Sequence, residues 1–591
     1  MSESAMASPM PLHQTRFDAP VNLADVGITS FVTQGSSFTG SVKQRYEDFC
    51  VNEIDPNGNV LHITSTDIPA GFKSNEEPFD TEDDVPVPLL QLLSEEHREK
   101  DKAAIQQYVR KEAKEVELST SFSDKDARRT FHQTVRRCLP ATESNSKGET
   151  IVLKHAKRPR EAPWPDPAHK HLHFVLYKEN RDTSATIKRL AMFTGTSNSF
   201  FAWAGTKDKR GVTVQRVSGF KIRPEKLLAA VAKINAEAKD EARVLVGNFS
   251  LGDQLGLGDL SGNRFDLILR DLEGDSEDIA SACKSLAERG FVNYFGLQRF
   301  STTKIPTHQV GAHLWRRDFE AALDLMMTPL ESDSDTERAA KEHWLTTREM
   351  GPLPGCIGRF NGALKAILGP IKIKGYSRGS IIEGFSKLHK NDRSMFLAAY
   401  QSYVFNLATT HRLSQSKDSL IVGDLVLKDK KARNPTIVTE EDVTSSVYSI
   451  SDVVLPLFGE TTIFPKNATG EFMKELIAAE GIVMEECRQP FTQMGAYRGI
   501  LNSASDVEWD IVSYSSPDSK LTLTERDQLE GTTLPESDEA KTRRALHISF
   551  SLASSTYATM ALRELMKETV DPTRGDKRKA VATEGEKRSV E

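Results

Sequence analysis

Residues Phe200–Phe220 read FFAWAGTKDKRGVTVQRVSGF, and their pattern gives the clearest indication of the fold. The two ends, Phe200–Ala204 and Val212–Phe220, are rich in aromatic and β-branched residues, and each end predicts a strand. A short polar segment separates them, as is typical of a loop between neighbouring strands. The stretch therefore predicts a strand–loop–strand unit whose loop is highly charged.

The loop carries one carboxylate, that of Asp208. Its three neighbouring cations are Lys207, Lys209 and Arg210. Because these cations favour the ionised carboxylate, Asp208 is predicted to stay an anion that can act as a nucleophile or accept a hydrogen bond. The same cations can hold the phosphates of a bound strand. Taken alone, however, the segment fits an ordinary strand-connecting turn better, and it does not satisfy the phosphate-binding pattern GxxxxGKS/T.

Strands and helices surround this unit without a regular βαβ alternation. In chain order we predict a strand at Leu172–Tyr177, a helix at Thr183–Phe193, a helix from Ser276 to Gly290, a strand at Phe291–Phe295 and a long helix from about Asp392. This arrangement indicates an α+β fold with a largely antiparallel sheet.

The composition of all 591 residues is that of an ordinary globular protein, with 77 Lys and Arg against 84 Asp and Glu and a net charge of −7. Length predicts about two to four domains. No apolar run approaches the ~20 residues that span a bilayer, and the N-terminus lacks a signal-peptide pattern. The five cysteines form no CxxC pair, which excludes a disulfide framework and a zinc ribbon. We expect a soluble intracellular protein.

Local charge departs from this average in several places. Six of the nine residues in Glu76–Asp84 are acidic, which predicts an exposed linker. A polar helix is predicted from Ser94 to Leu118, and a second linker from Ala141 to Pro167. From Ile151 to Ser250, by contrast, 19 Lys and Arg stand against 9 Asp and Glu. A surface that faces phosphate and a basic face balanced by acidic neighbours explain this zone equally well.

Two further segments are candidates for a site. Asn293–Phe300, NYFGLQRF, combines an amide with rings that can stack on an unpaired base, although strand aromatics mostly lie in the core. Lys43–Glu53 alternates as a strand with Phe49 and Val51 on one face. Its charged ends either meet in a site or decorate a sheet edge, and the residues alone favour the edge.

Three alternating histidines would share one face of a strand. They are His169, His171 and His173. No carboxylate or cysteine stands near them at ligand spacing, so solvated or phosphate-facing histidines are favoured over a metal site.

Six blocks of the sequence together resemble the TruD-type pseudouridine synthases, in particular their eukaryotic Pus7-like branch. The blocks are KQRYEDFCVNEID at Lys43–Asp55, LHFVLYKENRDT at Leu172–Thr183, AGTKDKRGVTVQ at Ala204–Gln215, NYFGLQRF at Asn293–Phe300, AYQSYVFN at Ala399–Asn406 and YATMALREL at Tyr557–Leu565. One block alone is weak, whereas six in the family's order over nearly the whole chain are specific.

The resemblance implies a role for each matching residue. Asp208 matches the family's essential aspartate. Asn293 and Phe295 match its NxF pair, in which the asparagine positions the catalytic loop and the phenylalanine stacks on the target base. Further residues implied near the active site are Lys43, Phe49, Glu53 and Tyr557. We add Lys207 and Arg210 as substrate-binding cations, with Arg210 either holding a phosphate or tethering Asp208.

The fold implied by the resemblance is the pseudouridine-synthase catalytic domain, a mixed and mostly antiparallel sheet with flanking helices, interrupted by an inserted TRUD domain. We place the catalytic domain at 41–75, 168–319 and 501–569 and the TRUD insertion at 320–500. Residues 76–167 are expected to form a further insertion that either widens the RNA surface or varies freely. Residues 1–40 form an N-terminal extension and residues 570–591 a disordered tail.

The activity implied by the resemblance is the isomerisation of uridine to pseudouridine in a nucleotide flipped out of its stack. The reaction changes no redox state and adds no group, so we expect no cofactor and no metal. The implied substrate is tRNA, at position 13 and also position 35, with small nuclear RNA and mRNA as further substrates. We expect a monomer, located in nucleus and cytoplasm, that binds no membrane.

Two other functions fit part of the sequence. An RNA-binding protein that kept the fold but lost the chemistry would share the basic zone and the aromatic residues. The presence of Asp208, Asn293 and Phe295 together favours the enzyme. An RNA methyltransferase would need a glycine-rich cofactor loop after a strand, which the sequence lacks.

Overall fold

The computed structural model describes residues 12, 21–72, 80–139, 141–156, 164–301, 304–351, 362–427, 434–487, 489–534 and 540–567. In chain order its strands are β1 Thr39–Val42, β2 Phe49–Ile54, β3 Thr81–Glu82, β4 Val85–Pro86, β5 Glu115–Glu117, β6 Thr142–Lys147, β7 Thr150–His155, β8 His171–Glu179, β9 Phe201–Trp203, β10 Val212–Phe220, β11 Val244–Gly252, β12 Gly262–Glu273, β13 Phe291–Val292, β14 Leu425–Val426, β15 Thr436–Ile437, β16 Val453–Leu457, β17 Ala496–Gly499, β18 Leu501–Asn502, β19 Ser505–Tyr514 and β20 Arg543–Ala553.

The α-helices of the same residues are α1 Val87–Leu90, α2 Arg98–Val109, α3 Lys125–Cys138, α4 Thr183–Thr194, α5 Pro224–Ala236, α6 Ser276–Arg289, α7 Thr307–Trp315, α8 Phe319–Met326, α9 Asp335–Thr347, α10 Gly362–Lys374, α11 Arg378–Lys387, α12 Lys390–Gln415, α13 Glu440–Ser445, α14 Ala468–Ala479, α15 Glu525–Leu529 and α16 Ala558–Met566. Among the described residues, no helix has the length and apolar character needed to cross a membrane.

A nine-stranded sheet forms the centre of the fold. Its order is β11-β8-β10-β2-β12-β20-β19, with β1 paired to β12 and β9 paired to β10. Strands β2 and β10 run parallel, and the other described pairs of this sheet run antiparallel. The predicted α+β fold with a mixed, mostly antiparallel sheet is therefore confirmed.

Helices bury the apolar residues of this sheet. Helices α4 and α5 contribute Leu190 and Leu227 to one cluster, where they pack with Leu176 of β8 and Val217 of β10. A second and larger cluster lies under α6 and α16 and continues into the helix-rich part of the chain, from α7 to α14. Because one apolar cluster spans both parts, the helix-rich part is fixed against the sheet.

From α8 onward the helix-rich part overlaps the predicted insertion at 320–500, whereas α7, Thr307–Trp315, precedes it. Its longest helix, α12, lies against α7, and a four-stranded sheet of order β15-β14-β16-β17 lies beside α12. The last of these strands, β17, is followed at once by β18, which pairs with β13 in the catalytic part. This short path brings β17 next to the segment that follows β13.

Residues 80–156 contain more regular structure than the sequence predicts. The predicted helix at Ser94–Leu118 is wrong at both ends, because the helix spans only Arg98–Val109 and Glu115–Glu117 forms a strand. The predicted linker at Ala141–Pro167 is also wrong in its first half, where β6 and β7 form a hairpin. The exposed faces of these strands carry polar residues, so the sequence pattern does not reveal the apolar core beneath them. That core includes Ile105, Phe131 and Leu153.

Three further predictions need correction. Lys43–Glu53 is not one strand, because Lys43 has a left-handed backbone with φ 56° and a 3₁₀ turn precedes β2. The predicted strand Phe291–Phe295 ends at Val292. Strand β8 includes His171 and His173 but not His169, whose ring instead contacts the Asp166 carboxylate at 2.7 Å. The strand at Val212–Phe220 is confirmed.

Several predicted segments lie wholly or partly outside the described residues. They are the N-terminal extension, the acidic linker Glu76–Asp84, the second half of the linker Ala141–Pro167 and the C-terminal tail 570–591.

Candidate active site

A cavity of about 750 Å³ lies between the central sheet and the four-stranded sheet. Two parts of its surroundings carry chemically active groups. We call the segment Ala204–Asp208, together with its ion-pair partners Lys43 and Glu53, the aspartate wall. We call Phe295, Arg498 and Tyr557 the ring wall, because two aromatic rings and a guanidinium form it.

Side chains from β8, α4 and β10 fix the backbone of the aspartate wall. Gln215 Nε2 donates to the Gly205 carbonyl oxygen at 3.0 Å, and the Lys207 amide donates to Thr183 Oγ1 at 3.3 Å. Lys178 Nζ donates to the carbonyl oxygen of Asp208 at 2.8 Å. Burial lowers the pKa of Lys178 to about 8. The loop that carries Asp208 is therefore fastened to the sheet along its length.

The Asp208 carboxylate faces the cavity and is held by one cation. Lys43 Nζ donates to its Oδ2 at 2.7 Å, and the lysine is nearly buried while 40% of the aspartate side chain remains exposed. The same ammonium lies 3.7 Å from the centroid of the Phe49 ring. The left-handed backbone of Lys43 turns its side chain out of β1 and toward the loop. This geometry keeps an accessible anion at a fixed place on the cavity wall.

A second ion pair lies behind the first. Lys207 Nζ is 2.9 Å from Glu53 Oε2 and donates to Asn263 Oδ1 at 2.7 Å. Both charged side chains are buried, and burial lowers the pKa of Lys207. The prediction that favoured a sheet edge for the ends of Lys43–Glu53 is wrong, because Lys43 and Glu53 each pair with a residue of the loop.

Both loop cations that were predicted to bind substrate have partners within the protein. The Lys207 ammonium points into the ion pair with Glu53. The Arg210 guanidinium donates to the carbonyl oxygen of Gln44 at 3.4 Å and lies outside the cavity wall. The tether seen on the Asp208 carboxylate is Lys43.

The NxF segment is anchored by two asparagines. Asn406 of α12 accepts from the Phe295 amide at 2.9 Å and donates to the Phe295 carbonyl oxygen at 3.0 Å. Asn293 Nδ2 donates to the carbonyl oxygen of Gly499 at 2.9 Å. The described side-chain hydrogen bonds of Asn293 thus lead to β17, whereas Lys178, Thr183 and Gln215 hold the aspartate loop.

Arg498 of β17 joins three segments of the chain at the cavity. Its Nε and Nη2 donate to the backbone oxygen and Oδ1 of Asn293 at 3.1 and 2.6 Å, and its Nη1 donates to the Ser555 carbonyl oxygen at 2.9 Å. Its guanidinium carbon lies 4.3 Å from the centroid of the Phe295 ring. Burial lowers the pKa of Arg498 to about 10.

The second ring of the ring wall belongs to Tyr557, whose ring lies edge-on to that of Phe295, with centroids 6.2 Å apart. The sequence analysis missed Arg498 and Asn406. Asn406 stands inside the quoted block AYQSYVFN, so that block was the available signal. Arg498 stands in a short strand whose local sequence gives no sign of a site.

The structure brings most of the predicted site residues to one cavity. The predicted site residues that line this cavity are Phe49, Lys207, Asp208, Phe295 and Tyr557. Lys43, Glu53 and Asn293 support them from behind, and Arg210 lies outside. Within the described residues, no three His, Cys, Asp or Glu side chains are grouped so as to hold a metal ion.

Comparisons with known proteins show which family the chain resembles over most of its length. A family model described as tRNA pseudouridine synthase D (TruD) matches residues 149–565. The mouse and human proteins named Pseudouridylate synthase 7 homolog are each 34% identical over 92% of this chain and 81% of their own length. Multisubstrate pseudouridine synthase 7 from Schizosaccharomyces pombe is 29% identical, over 92% of this chain and 90% of its own.

A crystal structure of the TruD protein from Methanosarcina mazei shares the fold. The similarity has a TM-score of 0.53 at 20% sequence identity and covers 93% of this chain and 98% of that one. At this identity the similarity concerns the fold alone.

Proposed function

The chain belongs to the TruD family of pseudouridine synthases, enzymes that act on RNA, and on this basis we propose that it isomerises uridine 13 of tRNA. We propose position 35 of tRNA, small nuclear RNA and mRNA as further targets. The family model is described by a tRNA activity, and the S. pombe relative is named as multisubstrate, which supports more than one target.

One observation carries the assignment of the catalytic group. Asp208 is an exposed carboxylate on the wall of the cavity, and the buried Lys43 holds it at 2.7 Å. An ion pair of this kind limits the motion of the carboxylate and holds it at the cavity wall, as a nucleophile or base requires. We therefore assign the catalytic role to Asp208.

The chemistry can be written for this site without any further reactant. The bond between C1′ and N1 breaks, the uracil turns, and C5 forms a bond to C1′; C5 loses its proton and N1 gains one, so the composition is unchanged. Asp208 acts at the sugar, either by attack on C1′ or by removal of the C2′ proton. A kinetic isotope effect with deuterium at C2′ separates these two routes.

The ring wall supplies the other requirement, which is to hold a detached uracil. A flipped base loses its stacking neighbours, and an aromatic ring replaces part of that stacking, worth about 1–3 kcal/mol per base. Phe295 has the Arg498 guanidinium close to its ring, and we propose that the ring surface toward the cavity stacks on uracil.

The remaining expectations concern the state and place of the protein. We propose a monomer that works in nucleus and cytoplasm. Size-exclusion chromatography with light scattering tests the first, and a fluorescent fusion protein tests the second.

Tritium release from tRNA transcripts labelled at C5 of uridine tests the proposed function. Wild type is compared with Asp208→Asn and with Asp240→Asn, which removes an exposed carboxylate that pairs with Arg181. We expect release by wild type and by Asp240→Asn, and a rate at least about 1,000-fold lower for Asp208→Asn. Equal release by both variants would overturn the role of Asp208. Binding without release by wild type would favour the non-catalytic alternative.

A further inference from the structure

The loop between β11 and β12 presents an unusual side chain at the cavity. Leu257 is 90% exposed, more than any other large hydrophobic residue that the structure describes. It is also part of the cavity lining, next to Gly258 and Leu260. An exposed leucine on an ordinary surface needs no explanation, but one at the mouth of a binding cavity marks a place where a ligand can cover it.

The turn that carries Leu257 is fastened on both sides. Before it, the Leu255 amide donates to Ser218 Oγ at 3.1 Å, and the Gly256 amide donates to Asp259 Oδ2 at 2.6 Å. After it, the Gly258 amide donates to the carbonyl oxygen of Ala204 at 2.8 Å. Gly258 has φ +97°, a conformation that favours glycine. The leucine is thus held out toward solvent by a turn bonded to the first residue of the aspartate wall.

The burial of the Phe295 ring determines which part of a bound RNA lies near Leu257. Phe295 is buried, so a uridine reaches it only by leaving the RNA stack, and this leaves a gap beside its former neighbours. An apolar side chain can fill such a gap, because the exposed base faces are themselves apolar. Among the described residues that line the cavity, Leu257 is the most exposed apolar side chain.

We propose that Leu257 enters the RNA stack at the place left by the flipped uridine and holds the nucleotide in the cavity. The inference rests on the proposed function and adds a residue that acts on the RNA rather than on the uracil. A leucine has no hydrogen-bonding group and therefore reads no base. Its contribution depends on how well the target uridine is stacked before it flips.

The first experiment compares two RNAs that share the sequence around one target uridine, a hairpin in which the uridine is stacked in the stem and an unpaired oligomer. For Leu257→Ala we expect kcat/KM to fall about 10-fold on the hairpin and less than about 2-fold on the oligomer, because only the hairpin must be opened. Leu257→Phe should keep most of the activity on both. The matched control is Ile373→Ala, which removes an 80% exposed side chain that is not part of the cavity lining.

A second measurement does not depend on turnover. With 2-aminopurine placed 3′ to the target uridine in the hairpin, Asp208→Asn should bind and raise the fluorescence, and the double variant Asp208→Asn with Leu257→Ala should raise it much less. An equal rise in the two variants, or equal losses of kcat/KM on hairpin and oligomer, would overturn the role of Leu257. Failure of wild type to release tritium, with the fluorescence difference intact, would count against the proposed chemistry and not against Leu257.

Discussion

The aspartate wall is held together by charge, whereas the ring wall is held by one guanidinium and by packed rings. In the aspartate wall each functional charge has a counter-charge, Lys43 for Asp208 and Glu53 for Lys207. In the ring wall, the described partners of Arg498 are two carbonyl oxygens, an amide oxygen and the aromatic rings of Phe295 and Phe405. One wall therefore fixes an anion, and the other fixes a ring.

This difference predicts that substitutions in the two walls change the kinetics in different ways. Removing one member of the buried Lys207–Glu53 pair leaves the other charge uncompensated, and removing Lys43 leaves the partly exposed Asp208 carboxylate without its cation. Either change disturbs the group that acts on the sugar. Removing Arg498 leaves no unpaired charge, because its hydrogen-bond partners are neutral oxygens. It does free Asn293 and the Phe295 ring to move. The aspartate wall should therefore control kcat, and the ring wall should mainly control KM.

Among substitutions of the residues that support Asp208 and Phe295, the largest effect is expected for Lys43→Met. Asp208 then loses its only described cation partner at 2.7 Å, and we expect kcat to fall about 100-fold, about 2.7 kcal/mol, with little change in KM. Single-turnover tritium release measures this. Lys209→Met is the matched control, because it removes an exposed lysine next to Asp208 and should change kcat less than about 3-fold. Similar losses in the two variants would show that loop charge in general, and not the ion pair, sets the rate.

A smaller effect, of a different kind, is expected for Arg498→Met. We expect kcat/KM to fall about 30-fold, about 2 kcal/mol, mostly through KM, because the stacking ring loses its support. Steady-state kinetics on the labelled tRNA separate the two constants. The matched control is Arg299→Met, because the Arg299 guanidinium carbon lies 5.5 Å from the centroid of the same ring and its loss should cost about 3-fold. A fall in kcat alone would contradict the distinction between the two walls.

The aspartate wall was largely predictable from sequence because its centre is contiguous. Strands β9 and β10 stand out by residue type, and the charged loop between them can be seen directly. The partners Lys43 and Glu53 were assigned to the site only through the resemblance. The single strand predicted for Lys43–Glu53 was wrong, because the strand begins only at Phe49. A bidentate ion pair between Asp48 and the buried Arg270 stabilises the 3₁₀ turn that precedes this strand. The two residues are 222 positions apart, so no local sequence pattern predicts their contact.

The ring wall was predictable only in part, since it forms from segments far apart in the chain. Arg498 and Asn293 are separated by 205 residues and meet because β18 pairs with β13. Strands this short carry no alternation that a sequence pattern can show. The block resemblance supplied Phe295 and Tyr557 but gave no sign of the arginine that connects them.

The smallest predicted effect separates catalysis from stability within the aspartate wall. Burial lowers the pKa of Lys178 to about 8, with Asp208 and Asp182 opposing and Lys207 adding to the shift. As pH rises through about 8, Lys178 loses its charge, its hydrogen bond to the Asp208 carbonyl weakens, and kcat should fall about 3-fold. Over the same range the unfolded chain binds more protons than the folded one, so the contribution of Lys178 to stability rises with pH between about 8 and 10.5.

Activity and the contribution of Lys178 to stability should therefore move in opposite directions above pH 8, and comparison with Lys178→Met isolates both effects. The measurement is kcat and Tm from pH 7 to 9.5 for wild type, Lys178→Met and the exposed control Lys233→Met. We expect the alkaline fall in kcat for wild type and the control, and a flat profile for Lys178→Met. Persistence of the fall in Lys178→Met would contradict its assignment to Lys178.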